Sequence, residues 1–252
     1  MSGTPRAGRA VNTLVLARHG QSQANADGLF TGLLDVPLTD VGRLEAVRAA
    51  RLLNDNGLWS PVWFCSPLLR VRQTVAILTD QLSRPPSQTI WDWRLAERNY
   101  GALTGRTKRS VLAEYGQVRF RAWRRSVGVA PPPMSKEQRR TLGNAPAALG
   151  FTESLHDVIV RVGAAWRHDI EPVLRRDGSV LVLAHGNALR ALCTVLDTLT
   201  DAEVQALNIP TGHPLVYRFA AGDDRPLVRG DEYLDPMTAR LAAAQIAREG
   251  GT

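Results

Sequence analysis

Apolar residues along this chain form two kinds of pattern. Thr13-Leu14-Val15-Leu16-Ala17, Val62-Trp63-Phe64-Cys65 and Val180-Leu181-Val182-Leu183-Ala184 are unbroken runs without polar alternation, the signature of parallel strands covered on both faces. Between them the apolar positions recur at helical spacing. A helix is predicted from about Thr39 to Asn56, with Val41, Leu44 and Val47 on one face and Gly57 as its C-cap. Another follows Ser66-Pro67, read as N-cap and N1 proline, with Leu68, Val71, Val75, Leu78 and Leu82 in one stripe. Helices are also expected from Thr152 to about Leu174, from about Asn187 to Leu199 and, weakly held, from Pro236 to Arg248; Leu215 to Phe219 reads as a further strand. Strands alternating with helices predict an α/β fold, a mainly parallel central sheet with helices on both faces.

The segment from about Arg98 to Gly150 interrupts that alternation. It is Arg-rich, contains Pro131-Pro132-Pro133, and reads as a cap-like insertion over one end of the sheet. The expected organisation is a disordered extension over 1–11, one domain over 12–235 carrying the 98–150 cap, and a tail over 236–252.

No apolar run is long enough to span a bilayer and the first ten residues lack the apolar core of a secretory signal, so a cytoplasmic protein without membrane attachment is expected. Cys65 and Cys193 both lie in apolar stretches and read as buried free thiols. The net charge of +7 fits a nucleic-acid surface, an anionic small substrate or a generally Arg-rich composition. Its distribution bears on the choice: between residues 98 and 140 eleven basic side chains face only Glu114 and Glu137. A local anion site therefore competes with a nucleic-acid patch.

Leu-Val-Leu-Ala occurs at 14–17 and again at 181–184, and each copy is followed almost at once by a histidine and a glycine. In a parallel sheet both strands end on one edge, where α/β proteins build their sites, so His19 and His185 are predicted to meet across 166 residues of sequence. A neutral imidazole is a competent nucleophile toward phosphorus, and phosphoryl transfer asks mainly for positioning and for neutralised oxygen charge. Arg18 precedes His19, Arg70 lies in the first turn of the helix after Ser66, and Asn187 opens a helix whose N–H groups favour an anion. Glu97, where the sheet gives way to the cap, is the candidate proton donor and acceptor. Each residue also has a structural reading when taken singly: a strand-end histidine, a solvated arginine, a surface Glu-Arg pair.

Taken together, Leu16-Ala17-Arg18-His19-Gly20-Gln21-Ser22-Gln23-Ala24-Asn25, Phe30-Thr31-Gly32, Glu97-Arg98-Asn99-Tyr100-Gly101-Ala102-Leu103, Trp123-Arg124-Arg125, Thr152-Glu153-Ser154-Leu155, Ala184-His185-Gly186-Asn187 and Leu207-Asn208-Ile209-Pro210-Thr211-Gly212 resemble the motifs of cofactor-dependent phosphoglycerate mutases, in that family's order. Arg-His-Gly alone marks the wider histidine phosphatase superfamily; the Glu-Arg-x-Tyr-Gly-Ala-Leu, Trp-Arg-Arg and Asn-Ile-Pro-Thr-Gly segments resemble the mutase branch. The resemblance implies that His19 is phosphorylated, that Glu97 donates and accepts the proton, and that His185 stabilises the transition state. It implies that Arg18, Asn25, Arg70 and His185 surround the transferring group, and that Ser22, Thr31, Gly32, Gly186 and Asn187 complete that pocket or contact the substrate. It assigns Arg98, Tyr100, Lys108, Arg124 and Arg125 to the substrate's carboxylate and second phosphate.

The implied reaction interconverts 3-phosphoglycerate and 2-phosphoglycerate, with 2,3-bisphosphoglycerate as the priming cofactor and no metal. A homodimer or homotetramer acting on phosphoglycerates, with no nucleic acid and no membrane partner, is the corresponding expectation. Three features depart from the family pattern. Asn99 stands where histidine is common, the stretch from Met134 to Phe151 is shortened, and Ser66-Pro67-Leu68-Leu69-Arg70-Val71-Arg72-Gln73-Thr74 reads like the phosphatase branch. The alternative is thus a phosphatase of the same fold, in which water takes the phosphoryl group from His19.

Overall fold

In a computed structural model the described residues are 11–248 except 144, 145, 147, 221, 224 and 231. The expected N-terminal extension lies outside them up to residue 10, and Val11 is already the first residue of a strand. Six strands, β1 (Val11–Arg18), β2 (Val62–Cys65), β3 (Gln88–Trp91), β4 (Ser179–Ala184), β5 (Leu215–Ala220) and β6 (Glu232–Tyr233), form one sheet in the order β3-β2-β4-β1-β5-β6. The four strands β3, β2, β4 and β1 run parallel, while β5 is antiparallel to both of its neighbours. The mainly parallel sheet is thus as expected; β3 and β6 are additions, the first of them short and half-exposed, so that no apolar run marks it.

The absence of alternation in β1 and β4 has a direct cause. Leu14, Leu16, Val180 and Val182 point to one side and share a core with Val158, Val162 and Leu189; Val15, Ala17, Leu181 and Leu183 point to the other and share a core with Ala49, Leu53, Val71 and Leu78. Successive side chains of a strand face opposite ways, and here both faces are covered. Each buried Leu or Val contributes roughly 1.5–3 kcal/mol.

The first core is closed by α6 (Leu155–Ala165) and α8 (Gly186–Asp197), the second by α2 (Asp40–Asp55) and α3 (Leu69–Gln81). The remaining helices are α1 (Gln23–Ala26), α4 (Lys108–Arg125), α5 (Lys136–Thr141), α7 (Glu171–Asp177), α9 (Asp201–Ala206) and α10 (Pro236–Arg248). The single helix expected from Thr152 is capped by Ser154 and joined through a π-helical turn, Trp166–Ile170, to α7. Within the 98–150 segment, α4 is broken at Gly116, where φ is +75°.

Two local expectations are corrected. The buried stripe of α2 is Gly42, Ala46, Ala49, Ala50 and Leu53, while Val41 and Leu44 are exposed. Small residues face the sheet because this helix lies very close to the chain leaving β1: a Cβ on Gly42 would stand 2.1 Å from the Gln21 carbonyl oxygen, and one on Gly20 would stand 2.0 Å from the Gly42 carbonyl oxygen. Second, Ser66 does not cap α3. The helix starts at Leu69, its N-cap Leu68 makes no side-chain cap bond, and the Ser66 hydroxyl is used elsewhere.

The Gly20–Gly42 contact yields a test whose sign opposes helix propensity. Alanine in a helix is favoured over glycine by ~1 kcal/mol, yet Gly42→Ala should lower the unfolding free energy in urea by about 1–3 kcal/mol, because backbone has to shift to admit the methyl. A stability equal to or above wild type would contradict the close approach.

Candidate active site

All four parallel strands end on one edge, and the candidate site is built there. Arg18 lies opposite Ala184 in the β1–β4 register, and the next N–H, that of His19, bonds the Ala184 carbonyl at 3.1 Å. Ser66 follows β2 in the same way, its N–H on the Leu183 carbonyl at 3.1 Å. The two histidines meet as predicted, ring centroids 4.9 Å apart and planes at 63°.

The hydrogen bonds of His19 fix its tautomer. Nδ1 lies 2.6 Å from the Gly20 carbonyl oxygen, which can only accept, so Nδ1 carries the proton and Nε2 the lone pair. Arg70 Nε donates toward that Nε2 at 3.3 Å, while its other nitrogens hold the Leu34 carbonyl at 2.7 Å and the Gly32 carbonyl at 3.0 Å. Arg70 therefore ties the 31–34 loop to the histidine.

His19 is only 2 % exposed and His185 is fully buried. Burial first, then the Arg70 and Arg18 charges, push the His19 imidazole well below the usual histidine range. His185 is lowered by burial, then by Arg70, His19 and Arg18. Both rings are neutral at physiological pH, as a nitrogen nucleophile requires. Burial also lowers the Arg70 guanidinium to about 10 against the raising effect of Glu97, which leaves it cationic at neutral pH.

A cleft of about 160 Å³ has Arg18 in its wall, while His19, Arg70 and His185 are not among its lining residues. Of the residues assigned from sequence, Arg18, Asn25, Thr31, Gly32, Glu97, Tyr100, Lys108, Arg124 and Asn187 line it. Arg18 NH1 is fixed on the Ile209 carbonyl at 2.8 Å, and its Nε has no partner among the described residues. The Asn25 Oδ1 accepts from the N–H and hydroxyl of Ser22 at the start of α1, so the amide of Asn25 offers the cleft its NH2. Asn187 donates to the Tyr100 hydroxyl at 3.0 Å and accepts from Arg190 NH1 at 2.9 Å. Glu97 is buried, with Oε1 accepting the Arg98 N–H at 2.7 Å, and Arg161 NH2 holds the Glu97 carbonyl at 3.2 Å.

Four expected substrate contacts do not line the cleft. Arg98 is buried, its guanidinium on the Glu153 carbonyl at 2.8 Å and the Val129 carbonyl at 3.0 Å. Arg125 ties α4 to α9 and the chain just after it, donating to the Gln205 carbonyl and to Asn208 Oδ1, each at 2.9 Å. Both arginines thus hold the cap to the body, because nearby carbonyls supply partners that a count of charges does not reveal. Ser22 caps α1, and Gly186 is the buried first residue of α8. Asn99 likewise bridges backbone, donating through Nδ2 to the Gly150 carbonyl at 2.8 Å.

Sequence reasoning left out Gln21, Leu29, Phe30, Glu45, Thr211 and Ile246, all of which line the cleft. Glu45 accepts from the Gln21 N–H and the Thr211 hydroxyl, each at 2.6 Å, joining the loop after β1 to the loop before β5. Thr211 stood inside a quoted motif; Ile246 comes from α10 and carries no sequence signal beyond one branched apolar residue in an Ala-rich helix. Among the described residues no group of three or more His, Cys, Asp or Glu is placed to hold a metal ion, and no helix is long and apolar enough to cross a membrane.

Comparison with known proteins agrees with this geometry. Residues 14–231 match the Histidine phosphatase superfamily (branch 1). The chain is 46% identical over 244 residues to a 2,3-bisphosphoglycerate-dependent phosphoglycerate mutase of Clavibacter sepedonicus, covering 94% of this chain and 97% of that one. It is 43% identical over 245 residues to the enzyme of the same name from a Nocardioides strain, covering 95% and 99%. Among solved structures it is similar to a mycobacterial glucosyl-3-phosphoglycerate phosphatase, with a TM-score of 0.63 and 27% identity over 82% of this chain and 92% of that one.

The buried neutral histidines set a pH dependence. Between their lowered folded values and the ordinary histidine pKa of about 6.5 the unfolded chain binds protons that the native chain refuses, so stability falls as pH drops below about 6.5, by at most ~1.4 kcal/mol per pH unit per histidine. Urea midpoints should therefore decrease from pH 7.5 to pH 5.5, and less so in His185→Gln. Equal slopes in the two proteins would contradict burial of a neutral His185.

Proposed function

The chain belongs to the histidine phosphatase superfamily, branch 1, and within it to the 2,3-bisphosphoglycerate-dependent phosphoglycerate mutases, and from that premise we propose that it interconverts 3-phosphoglycerate and 2-phosphoglycerate through a phosphoryl group carried on His19. The observation that carries this reading is the His19 ring itself: Nδ1–H is committed to the Gly20 carbonyl and Nε2 presents a lone pair beside Arg70, in a buried site rich in arginine.

The donor set suits a three-carbon bisphosphate. Arg18, Lys108 and Arg124 line the cleft, Asn25 adds neutral N–H donors, and the orphaned Arg18 Nε is a buried donor that an anionic oxygen would satisfy. When bound, 2,3-bisphosphoglycerate supplies the phosphoryl group that primes His19.

The Nε2 lone pair attacks phosphorus in line, forming the N–P bond as the P–O bond to the departing hydroxyl breaks. Glu97 gives that oxygen its proton. In the return step Glu97 takes the proton from the accepting hydroxyl, the hydroxyl oxygen attacks phosphorus, and the electrons of the N–P bond return to Nε2. The long 3.3 Å contact from Arg70 Nε is the one an arriving phosphoryl oxygen takes over, so arginine charge stabilises the group in flight.

Burial of His19 and the reach of α10 to the cleft at Ile246 favour exclusion of water, which a mutase needs so that its phosphohistidine waits for a hydroxyl of the substrate. The 98–150 segment acts as the cap and 236–248 as part of the cover. We assign the enzyme to glycolysis and gluconeogenesis in the cytoplasm, as a homodimer or homotetramer acting on small anions without nucleic-acid or membrane partners. Part of the basic excess of the cap goes to carbonyls and to the cleft, as with Arg98, Arg124 and Arg125.

Incubation of 3-phosphoglycerate with a catalytic amount of 2,3-bisphosphoglycerate should give 2-phosphoglycerate with little free phosphate. Phosphate release without isomer would overturn the mutase reading in favour of the phosphatase. Glu97→Gln should lower kcat by about 10²–10⁴-fold, the usual contribution of a positioned acid–base group; an unchanged kcat would remove Glu97 from the proton transfers.

A further inference from the structure

Ser66 is fully buried, follows the last residue of β2, and places its hydroxyl oxygen 2.7 Å from His185 Nε2. We propose that Ser66 is a positioning residue for phosphoryl transfer: its hydroxyl holds His185 in the Nδ1–H tautomer, so that Nδ1–H donates to the phosphoryl group between His19 and substrate. The inference rests on the phosphohistidine reading of His19.

An Nδ1–H turned toward phosphoryl oxygens leaves Nε2 as the acceptor of the Ser66 hydroxyl proton. The Leu68 N–H is aimed at the same oxygen at 3.5 Å, a long contact that nevertheless takes up lone-pair space on that side. That contact leaves the hydroxyl one lone pair and its proton, and the proton goes to Nε2 when Nδ1 carries the ring proton. A neutral imidazole carries one proton, so accepting at Nε2 leaves that proton on Nδ1. Burial and the neighbouring cations keep His185 neutral, consistent with this assignment.

Nδ1 itself is buried and has no partner among the described residues, and its ring sits 4.9 Å from that of His19. A buried N–H without an acceptor from the protein is suited to an anionic oxygen. The opposite tautomer would turn a lone pair toward those oxygens, which repel it. Ser66 thus acts on the reaction only through His185, and β2 holds it in place through the Ser66 N–H to Leu183 carbonyl bond at 3.1 Å.

The test uses full-length protein with ¹⁵N-labelled histidine. Two-bond ¹H–¹⁵N spectra of wild type should show His185 as the Nδ1–H tautomer, and Ser66→Ala should convert it to Nε2–H or to a mixture. Ser66→Ala should also lower kcat about tenfold or more while KM changes less than about threefold, as expected for a group acting through a transition-state contact. A wild-type His185 in the Nε2–H form, or a Ser66→Ala protein with wild-type tautomer and wild-type kcat, would overturn the proposal. Labelling of wild-type His19 by 2,3-bisphosphoglycerate is followed in parallel. Its absence would sink the phosphohistidine reading, whereas labelling with an unaltered Ser66→Ala tautomer and rate would sink the Ser66 proposal alone.

Discussion

The site depends on one hydrogen-bonded register. β1 and β4 lie side by side in parallel with Arg18 opposite Ala184, and the His19 N–H continues the ladder onto the Ala184 carbonyl. A slip by one residue would turn every side chain of β1 to the other face, exchanging Leu14 and Leu16 with Val15 and Ala17 between two differently shaped cores. The cores therefore lock the register, and the register delivers both histidines to the same point. β2 adds Ser66 to that edge through its pairing with β4. The chain leaving β1 is then pressed against α2, where Gly20 and Gly42 meet backbone to backbone.

On that frame the electrostatics of the site follow from burial. Among the described residues Arg18, Arg70, Arg98, Arg124, Arg161 and Arg190 are buried, against the carboxylates Asp92, Glu97, Glu153 and Asp197. Burying charge in this way costs stability unless partners are supplied, and most of the partners here are backbone carbonyls: those of Ile209 for Arg18, Leu34 and Gly32 for Arg70, Glu153 and Val129 for Arg98, and Val204 for Arg190. Carbonyls orient the guanidinium groups without neutralising them. The surplus positive potential is left for an anion, while burial first, and then Arg70 and Arg18, keep His19 and His185 unprotonated.

The parts of this arrangement legible in the sequence are those set by strand ends. Unbroken apolar runs located β1, β2 and β4, and a histidine at the end of two of them was enough to bring His19 and His185 together. Glu97, Asn25, Thr31 and Tyr100 were placed by their motifs. What could not be read was which atoms each polar side chain satisfies. Ser66 before a proline has the form of a helix cap, yet its hydroxyl goes to a histidine 119 residues away. Arg98 and Arg125 belong to a dense local run of positive charge, but three-dimensional neighbours decide that they brace the cap. Val41 and Leu44 match helical spacing, but the close approach of α2 to the loop after β1 leaves room only for small residues on the inner face of its N-terminal half, where Gly42 and Ala46 stand.

Nε2 of His19, with Nδ1–H held by the Gly20 carbonyl, is the atom proposed to receive the phosphoryl group. The most direct measurement is to phosphorylate the enzyme with 2,3-bisphosphoglycerate, digest it under alkaline conditions, and identify both the labelled residue and the nitrogen isomer of its phosphohistidine. Nε2-phosphohistidine at position 19 is the predicted result. Label on His185, or on Nδ1 of His19, would contradict the account.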